Sequence, residues 1–459
     1  MVEPLDVVNA EKGDLNTSTF ILLLGARGSI PNSEDDLLIM AARTVTMVLT
    51  FAACATARDV PQRWQNRNRR VLMLISDTGG GHRASALALQ AMMHKLRPCL
   101  DIKIVDIWTE HGAWPDNQMP RTYPFLCRHR QLWRAMFHMA PLLERPWFAT
   151  TRLTCGAGFK RCISEYDPHL VVSLHPLCQH LPLDLSRRHD DTVPFATVCT
   201  DLGSAHCTWF VEGVDACFVA TDAVRRIAES RGVARSKIRQ HGLPVRRPFW
   251  QASSGAAKLA RRQIAALGLE VNRRTVLIVG GGDGLGGLES VVDATASRLA
   301  ADQPGAAQVV AVCGRNSAAR RRLEARQQAG RWPEVSVRVL GFTNEMSEYM
   351  KAADCLVSKA GPGTIAEAAM CGLPTVLSDF LPGQEHGNLA FVTRHGFGQY
   401  VRQPKAIARH VSALLQSPAE LARMSAAARA AATPLATKQI ATDLLQILDR
   451  GRTADGALA

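Results

Sequence analysis

The chain lacks closely spaced cysteine pairs, an aspartate pair in a metal-binding setting, and an acidic surplus to balance its bases. Its 12 cysteines are scattered singly among 459 residues, with no Cys-x-x-Cys and no His/Cys cluster at zinc spacing. That excludes a zinc ribbon and a dithiol redox motif. A chain of this length needs no disulfide staples, so the cysteines read as mostly buried thiols in a reducing compartment. With 47% hydrophobic and 21% charged residues the composition is ordinary for a globular protein and excludes a disordered or fibrous one. The length suits roughly two to three domains of about 150 residues each. Acids are the scarcer charge: 54 Lys and Arg stand against 41 Asp and Glu, a formal +13. The excess points to an acidic partner: anionic lipid, nucleotide phosphate or nucleic acid.

Long apolar runs are also nearly absent. Residues 37–57 form one, interrupted only by Arg43. It reads as a processed leader, as the apolar region of a targeting signal, or as a weak membrane anchor. Residues 1–36 before it carry Glu3, Asp6, Glu11, Asp14, Glu34, Asp35 and Asp36, whereas transit peptides are poor in acids. The segment 1–66 is expected to lie outside the fold as a leader or disordered stretch.

From residue 71 onward, short apolar runs alternate with amphipathic stretches. Candidate strands are Val71–Ile75, Ile102–Val105, Leu170–Leu174, Phe195–Cys199 and Ala216–Ala220, then Thr275–Val279, Gln308–Val312, Val335–Leu340, Cys355–Val357 and Thr375–Leu377. β-branched runs separated by helices imply crossover connections and parallel sheets. Each set opens with a strand running into glycines, VLMLISDTGGGHRASA at 71–86 and TVLIVGGGDGLGG at 275–287. The pseudo-repeat predicts an α/β protein with two Rossmann-like halves. We place the first at 67–246 and the second at 247–434, with the linker at Leu243–Gly255 and the helical stretch Leu435–Asp449 returning to cap the first half.

A third signal is SKAGPGTIAEAAMCGLPTVL at 358–377, a glycine turn leading into a helix expected to start near Thr364. Glycines let the backbone approach an anion, and a helix amino terminus offers free N–H groups and a positive dipole end. Glu367, one turn in, is placed to accept from ribose hydroxyls or simply favours the helix start. GQEHGN at 383–388 offers the amide and carboxylate groups that grip sugar hydroxyls. His82 closes the first glycine loop at a helix opening, where its near-neutral pKa suits proton abstraction.

Residues 117–162 hold Arg121, Arg128, Arg130, Arg134, Arg145, Arg152, Lys160 and Arg161 against the single acid Glu144. They also hold Tyr123, Phe125, Trp133, Phe137, Trp147, Phe148 and Phe159, among Leu126, Leu132, Met136, Met139, Leu142 and Leu143. Bases attract anionic headgroups and aromatics settle at the polar–apolar boundary, so this stretch reads as a monotopic membrane face. Base stacking uses the same residue types. The greasy context favours lipid over nucleic acid.

SDTGGGHRASA, DIWTEHGAWPDNQMPRTY, SLHPLCQH, TDLGSAHCTWF, HGLPVRRPF, GGGDG, CGRN, KAGPGTIAEA and GQEHGN occur in that order. Together they resemble the monogalactosyldiacylglycerol synthase family, plastid-envelope galactosyltransferases related to the bacterial peptidoglycan glycosyltransferase MurG. The resemblance spans about residues 70–445 and implies a GT-B fold, two Rossmann-like domains with parallel sheets facing a cleft. It implies inverting transfer of galactose from UDP-galactose to the sn-3 hydroxyl of diacylglycerol, with His82 as the catalytic base. Gly281, Gly282, Gly361, Gly363 and Thr364 would cradle the diphosphate, Phe342 would line the uracil pocket and Glu367 hold the ribose, with Gly80 and Gly81 also binding the UDP-sugar. Gln384, Glu385 and Asn388 would hold the galactose. Trp114 and Pro115 would meet the acceptor lipid, a role the basic aromatic stretch extends to Arg121 and Trp133; Trp209 aligns with an aromatic tied to activation by phosphatidic acid, or is a buried core residue. Phosphatidic acid and phosphatidylglycerol are the anionic lipids expected to activate. No tightly bound cofactor or metal is expected, since in this fold backbone amides and a helix dipole neutralise the leaving diphosphate. Nucleic acid is not an expected partner, and a homodimer is left open. The implied location is the plastid (chloroplast) envelope, with a bacterial cytoplasmic membrane as the alternative. Three other readings remain: a related transferase with another sugar or acceptor (a diacylglycerol glucosyltransferase or a MurG-like enzyme), a non-catalytic membrane-binding protein, and a sugar-nucleotide epimerase. Asp283 is given no role.

Overall fold

The computed structural model describes residues 69–250, 261–280 and 287–451. The leader 1–66, the end of the linker, and Gly281, Gly282 and Asp283 lie outside them.

Among the described residues twelve strands build two sheets. The first six are β1 (Arg70–Ile75), β2 (Asp101–Asp106), β3 (Leu170–Ser173), β4 (Phe195–Val198), β5 (Ala216–Val219) and β6 (Ile238–Gln240). They pair in the order β2-β1-β3-β4-β5-β6, every neighbour parallel. The second six are β7 (Arg274–Val279), β8 (Ala307–Val312), β9 (Ser336–Leu340), β10 (Cys355–Lys359), β11 (Thr375–Asp379) and β12 (Gly398–Tyr400). Their order is β12-β11-β10-β7-β8-β9, again all parallel.

Parallel pairing needs crossovers, and helices cover both faces of each sheet. Alternation along β1 shows the result: Leu72 and Leu74 enter one core, while Val71, Met73 and Ile75 enter the other. In β7, Leu277 and Val279 pack on one side and Val276 and Ile278 on the opposite side.

Eight helices matter for the site: α1 (Gly80–Leu96), α2 (Met119–Arg128), α3 (Arg130–Tyr166), α4 (His180–His189), α5 (Asp222–Ser230), α6 (Pro362–Cys371), α7 (His386–Arg394) and α8 (Ala436–Arg450). α6 begins two residues before the expected Thr364, because Pro362 has the φ a first helical position wants and Gly361 takes the cap. The proline-bearing stretch after β6 is not a loose connector, since Leu243, Val245 and Phe249 are buried in the second half's core. α8 returns to the first sheet, where Ile440, Leu444, Ile447 and Leu448 form one apolar stripe in the cluster of Val71, Met73 and Ile75. Arg97 and Asp449 pair across that junction at 2.6 Å.

α3 runs for 37 residues despite Pro141 and Pro146 inside it. Its inner stripe is Trp133, Phe137, Glu144, Trp147, Thr151, Cys155 and Phe159, whereas Leu132, Met136, Met139, Leu142, Leu143 and Leu153 are exposed. The aromatics of 117–162 thus divide between core and surface instead of forming one face. Phe159 is fully buried, and Trp147 stacks on Trp108 at 5.7 Å. Among the described residues no helix is long and apolar enough to cross a membrane.

Candidate active site between the two sheets

In a doubly wound sheet the loops after the strands' carboxyl ends form the ligand crevice. On the first sheet these are 76–79 after β1, 174–179 after β3 and 199–206 after β4. On the second they are 360–361 after β10 and 380–385 after β11.

The β1 loop turns on Gly79, whose φ of +83° is left-handed and favours glycine. Gly80 and Gly81 follow at the start of α1, and no atom lies within 4 Å of a Cβ added to either. Their backbone faces open space at a helix amino terminus, the arrangement an anion needs. His82 stands one position further on and is buried. Its Nδ1 lies 2.9 Å from Thr200 Oγ1, and the His175 ring meets it edge-on at 4.6 Å. Burial lowers its pKa to about 4, against a raising contribution from the Leu174 carbonyl, so the imidazole is neutral at physiological pH. His175 accepts Leu177 N–H at Nδ1 (3.2 Å) and places Nε2 2.7 Å from Thr78 Oγ1, which makes Nε2 its protonated nitrogen.

Asp201, next to Thr200, is buried and pushed up to about 7 by that burial. Its carboxylate accepts from Trp209 Nε1 at 2.7 Å and bonds the Gln384 side chain of the second half. Thr200 and Asp201 therefore link the imidazole to the GQEHGN loop across one peptide unit. Trp209 is 0% exposed. It offers nothing to a lipid surface; its indole N–H steadies a buried carboxylate.

Several contacts close the two halves on each other. Asn388 accepts Gly203 N–H at Oδ1 and donates from Nδ2 to the Ala360 carbonyl, both at 2.8 Å. Ser204 Oγ donates to the Gln384 carbonyl (2.7 Å) and accepts Gly387 N–H (3.1 Å). Gly203 and Gly387 approach so nearly that a Cβ on either would come closer than 3.0 Å to the other's backbone.

In the second half, Glu385 is buried between Lys359 Nζ (3.1 Å) and Leu381 N–H (2.8 Å). Glu367 pairs with Arg246 at 3.0 Å, and burial raises its pKa against that partner's pull. Gly361 is buried at the α6 cap, Gly363 exposed and Thr364 half-buried. Phe342 is 64% exposed with the Arg315 guanidinium 5.9 Å above its ring.

Of the acceptor candidates, Trp114 is 77% exposed and joined to exposed Pro115 by a cis peptide. Arg121 is exposed, and half-buried Trp133 packs edge-on against Tyr123 at 5.5 Å. Tyr123, grouped above with the membrane-face aromatics, lies in the cleft beside Gly79, and its phenol is held well above its usual range by burial, with Cys127, Glu385 and Asp201 adding to the effect. His175, Thr200, Asp201, Lys359 and Arg246 were not singled out from the sequence, although all stand in the quoted motifs. Asp215 is buried on Arg187 (2.6 Å) and Phe195 N–H (2.7 Å). Among the described residues no three His, Cys, Asp or Glu gather into a metal site.

Residues 82–245 match the model of the monogalactosyldiacylglycerol (MGDG) synthase family, and residues 275–440 that of the glycosyltransferase family 28 C-terminal domain. The spinach chloroplastic monogalactosyldiacylglycerol synthase is 37% identical over 388 residues, covering 83% of this chain and 73% of that one. Monogalactosyldiacylglycerol synthase 1 of Arabidopsis thaliana, also chloroplastic, is 37% identical over 392 residues, covering 83% and 72%. Among solved structures, Acinetobacter baumannii MurG superposes with a TM-score of 0.51 at 16% identity, over 82% of this chain and 99% of that one. UDP-GlcNAc 2-epimerase from Neisseria meningitidis, bound to UDP-GlcNAc, gives 0.53 at 11% identity, over 82% and 99%. Likenesses that distant speak to the fold alone, whereas the match to the plant enzymes covers both halves of the site. The chain belongs to the monogalactosyldiacylglycerol synthase family and is a glycosyltransferase of the GT-B fold.

Proposed function

We propose that the enzyme moves galactose from UDP-galactose to the sn-3 hydroxyl of 1,2-diacylglycerol, with inversion, at a membrane surface. The observation that carries this is His82: a neutral imidazole at a helix amino terminus, joined through Thr200 and Asp201 to a loop of sugar-binding character in the other half. A neutral imidazole can take the acceptor's proton as its oxygen attacks the anomeric carbon. The negative diphosphate entering the cleft raises the imidazole's pKa from its low resting value, making it a stronger base when the donor is bound. One base and a displaced diphosphate give single displacement, hence inversion.

In this reading Gly80, Gly81, Gly361, Gly363 and Thr364, together with Gly281 and Gly282, present N–H groups to the diphosphate. Glu367, steadied by Arg246, takes the ribose; Phe342 flanks the uracil; Gln384, Glu385 and Asn388 hold the galactose. The first half (to residue 246) binds acceptor and membrane, and the second (247–434) binds donor. Trp114, Pro115, Arg121 and Trp133 meet the lipid, and α3 lays Leu132, Met136, Met139, Leu142 and Leu143 on it among exposed arginines. Phosphatidic acid or phosphatidylglycerol activates by drawing that basic face down, not through the buried Trp209. The relatives' chloroplastic names support a peripheral place at the plastid envelope.

The test is incubation with labelled UDP-galactose and diacylglycerol in anionic vesicles, scoring label in the lipid phase and the anomeric configuration of the product. UDP-glucose serves as the competing donor. His82→Ala should lower turnover by about 10²–10⁴-fold and leave donor binding intact. Preferential transfer from UDP-glucose, or to a lipid-linked peptidoglycan precursor, would replace the galactolipid reading with its sister activities.

A further inference from the structure

The segment 379–388, which leads from β11 into α7 and carries Gln384, Glu385 and Asn388, is gripped by the helix with the apolar outer face. Asp379 pairs with Arg130, the first residue of α3. The same carboxylate oxygen accepts Phe380 N–H at 2.9 Å, which fixes where the loop departs from the strand. The Arg130 guanidinium also lies 5.5 Å over the Phe380 ring. That ring meets His386 and Tyr400 edge-on at 5.8 and 5.4 Å. Both ion-pair partners are only about one-third exposed, at 36% and 30%.

Two turns further along the helix, and so on the same face, stands Phe137. It covers Gly383, whose φ is +83°, so closely that an added Cβ would come under 3.0 Å of its ring. Its own ring meets His206 edge-on at 5.1 Å. Two turns beyond that, buried Glu144 is fastened to Arg231 (2.5 Å) after α5, with His180 at the start of α4 lying 2.9 Å away. One stripe of α3 thus ties the second half's loop to the body of the first half. The remaining faces carry the exposed Leu132, Met136, Met139, Leu142 and Leu143.

We propose that Arg130 and Phe137 are positioning residues for the donor-sugar loop, so that the helix lying on the lipid also sets the geometry of the sugar site. The inference rests on reading 379–388 as that loop. Binding a sugar in near-attack geometry depends on how firmly its polar ligands are held. Here part of that firmness comes from an element of the acceptor half.

Two readouts test it. In transfer assays, Asp379→Asn and Arg130→Gln should each lose about tenfold in kcat/KM for UDP-galactose, with the diacylglycerol KM unchanged. Asp379→Asn removes no charge from the lipid face, so its vesicle binding stays at the wild-type level. The exchanged pair Arg130→Asp with Asp379→Arg should regain most of what either reversal loses alone. The second readout needs no substrate: amide hydrogen exchange over 379–388 should speed up in Asp379→Asn. Unchanged exchange, or losses that simply add in the exchanged pair, would overturn the proposal. Faster exchange in a protein that transfers no galactose would uphold the grip and sink the functional reading instead.

Discussion

Replacing Asp201 with asparagine should stabilise the protein, and increasingly so as pH rises. The carboxyl is buried, with its pKa moved from 3.8 to about 7. Between those values the folded protein keeps a proton that the unfolded chain has released, so stability falls as pH rises through that window. A tenfold difference in proton affinity is worth about 1.4 kcal/mol, and roughly three such steps separate the two values, so the ceiling is about 4 kcal/mol above pH 7. Asparagine has the same shape, accepts from the Trp209 indole as the carboxylate does at 2.7 Å, and has no charge to bury. A net gain of about 2–4 kcal/mol above pH 7, shrinking to nothing near pH 4, is expected. His82 and His206 titrate with the opposite sign, since burial lowers both to about 4 and their contribution is lost on acidification. They are common to both proteins and drop out of the difference. Denaturant unfolding of Asp201→Asn and wild type, run in parallel from pH 4 to 8, reads it directly. Two curves separated by a constant gap would refute the claim that Asp201 is held protonated by burial.

Adding one methyl at the inter-half contact, as Gly203→Ala or Gly387→Ala, should leave the fold intact but hold the halves apart. Turnover falls at least tenfold while UDP affinity, set mainly in the second half, falls by less; equal activity would mean the two loops need not meet during catalysis. On α3, Leu142 is 81% exposed and Leu143 49%. Changing both to serine should weaken vesicle binding by about 1–3 kcal/mol in total and leave thermal stability unchanged; cosedimentation identical to wild type would remove the lipid role of that face. Binding should also decline with salt and with zwitterionic dilution of the vesicles, because its electrostatic part comes from exposed arginines.

Local chemistry made ten of the twelve strands legible before any coordinates, because a strand buried on both faces is a β-branched run wherever it sits. The two that escaped, β6 and β12, are three-residue edge strands whose apolar content is too slight to mark them; pairing with β5 and β11 makes them strands. The first glycine turn and His82 at the opening of α1 were equally readable, since a left-handed glycine and a helix start are written in adjacent residues. What adjacency does not encode had to wait for the folded chain. Trp209, aligned by resemblance with an aromatic tied to phosphatidic acid, is a buried donor to Asp201. Arg130 looked like one more surface base and reaches Asp379, 249 positions away. The near-neutral carboxyl of Asp201 is a property of burial, which no residue carries in its own chemistry. The sequence by itself determined the elements and their turns, because those depend on neighbours along the chain. Tertiary structure alone decided which groups face one another across the cleft and how strongly each is desolvated there.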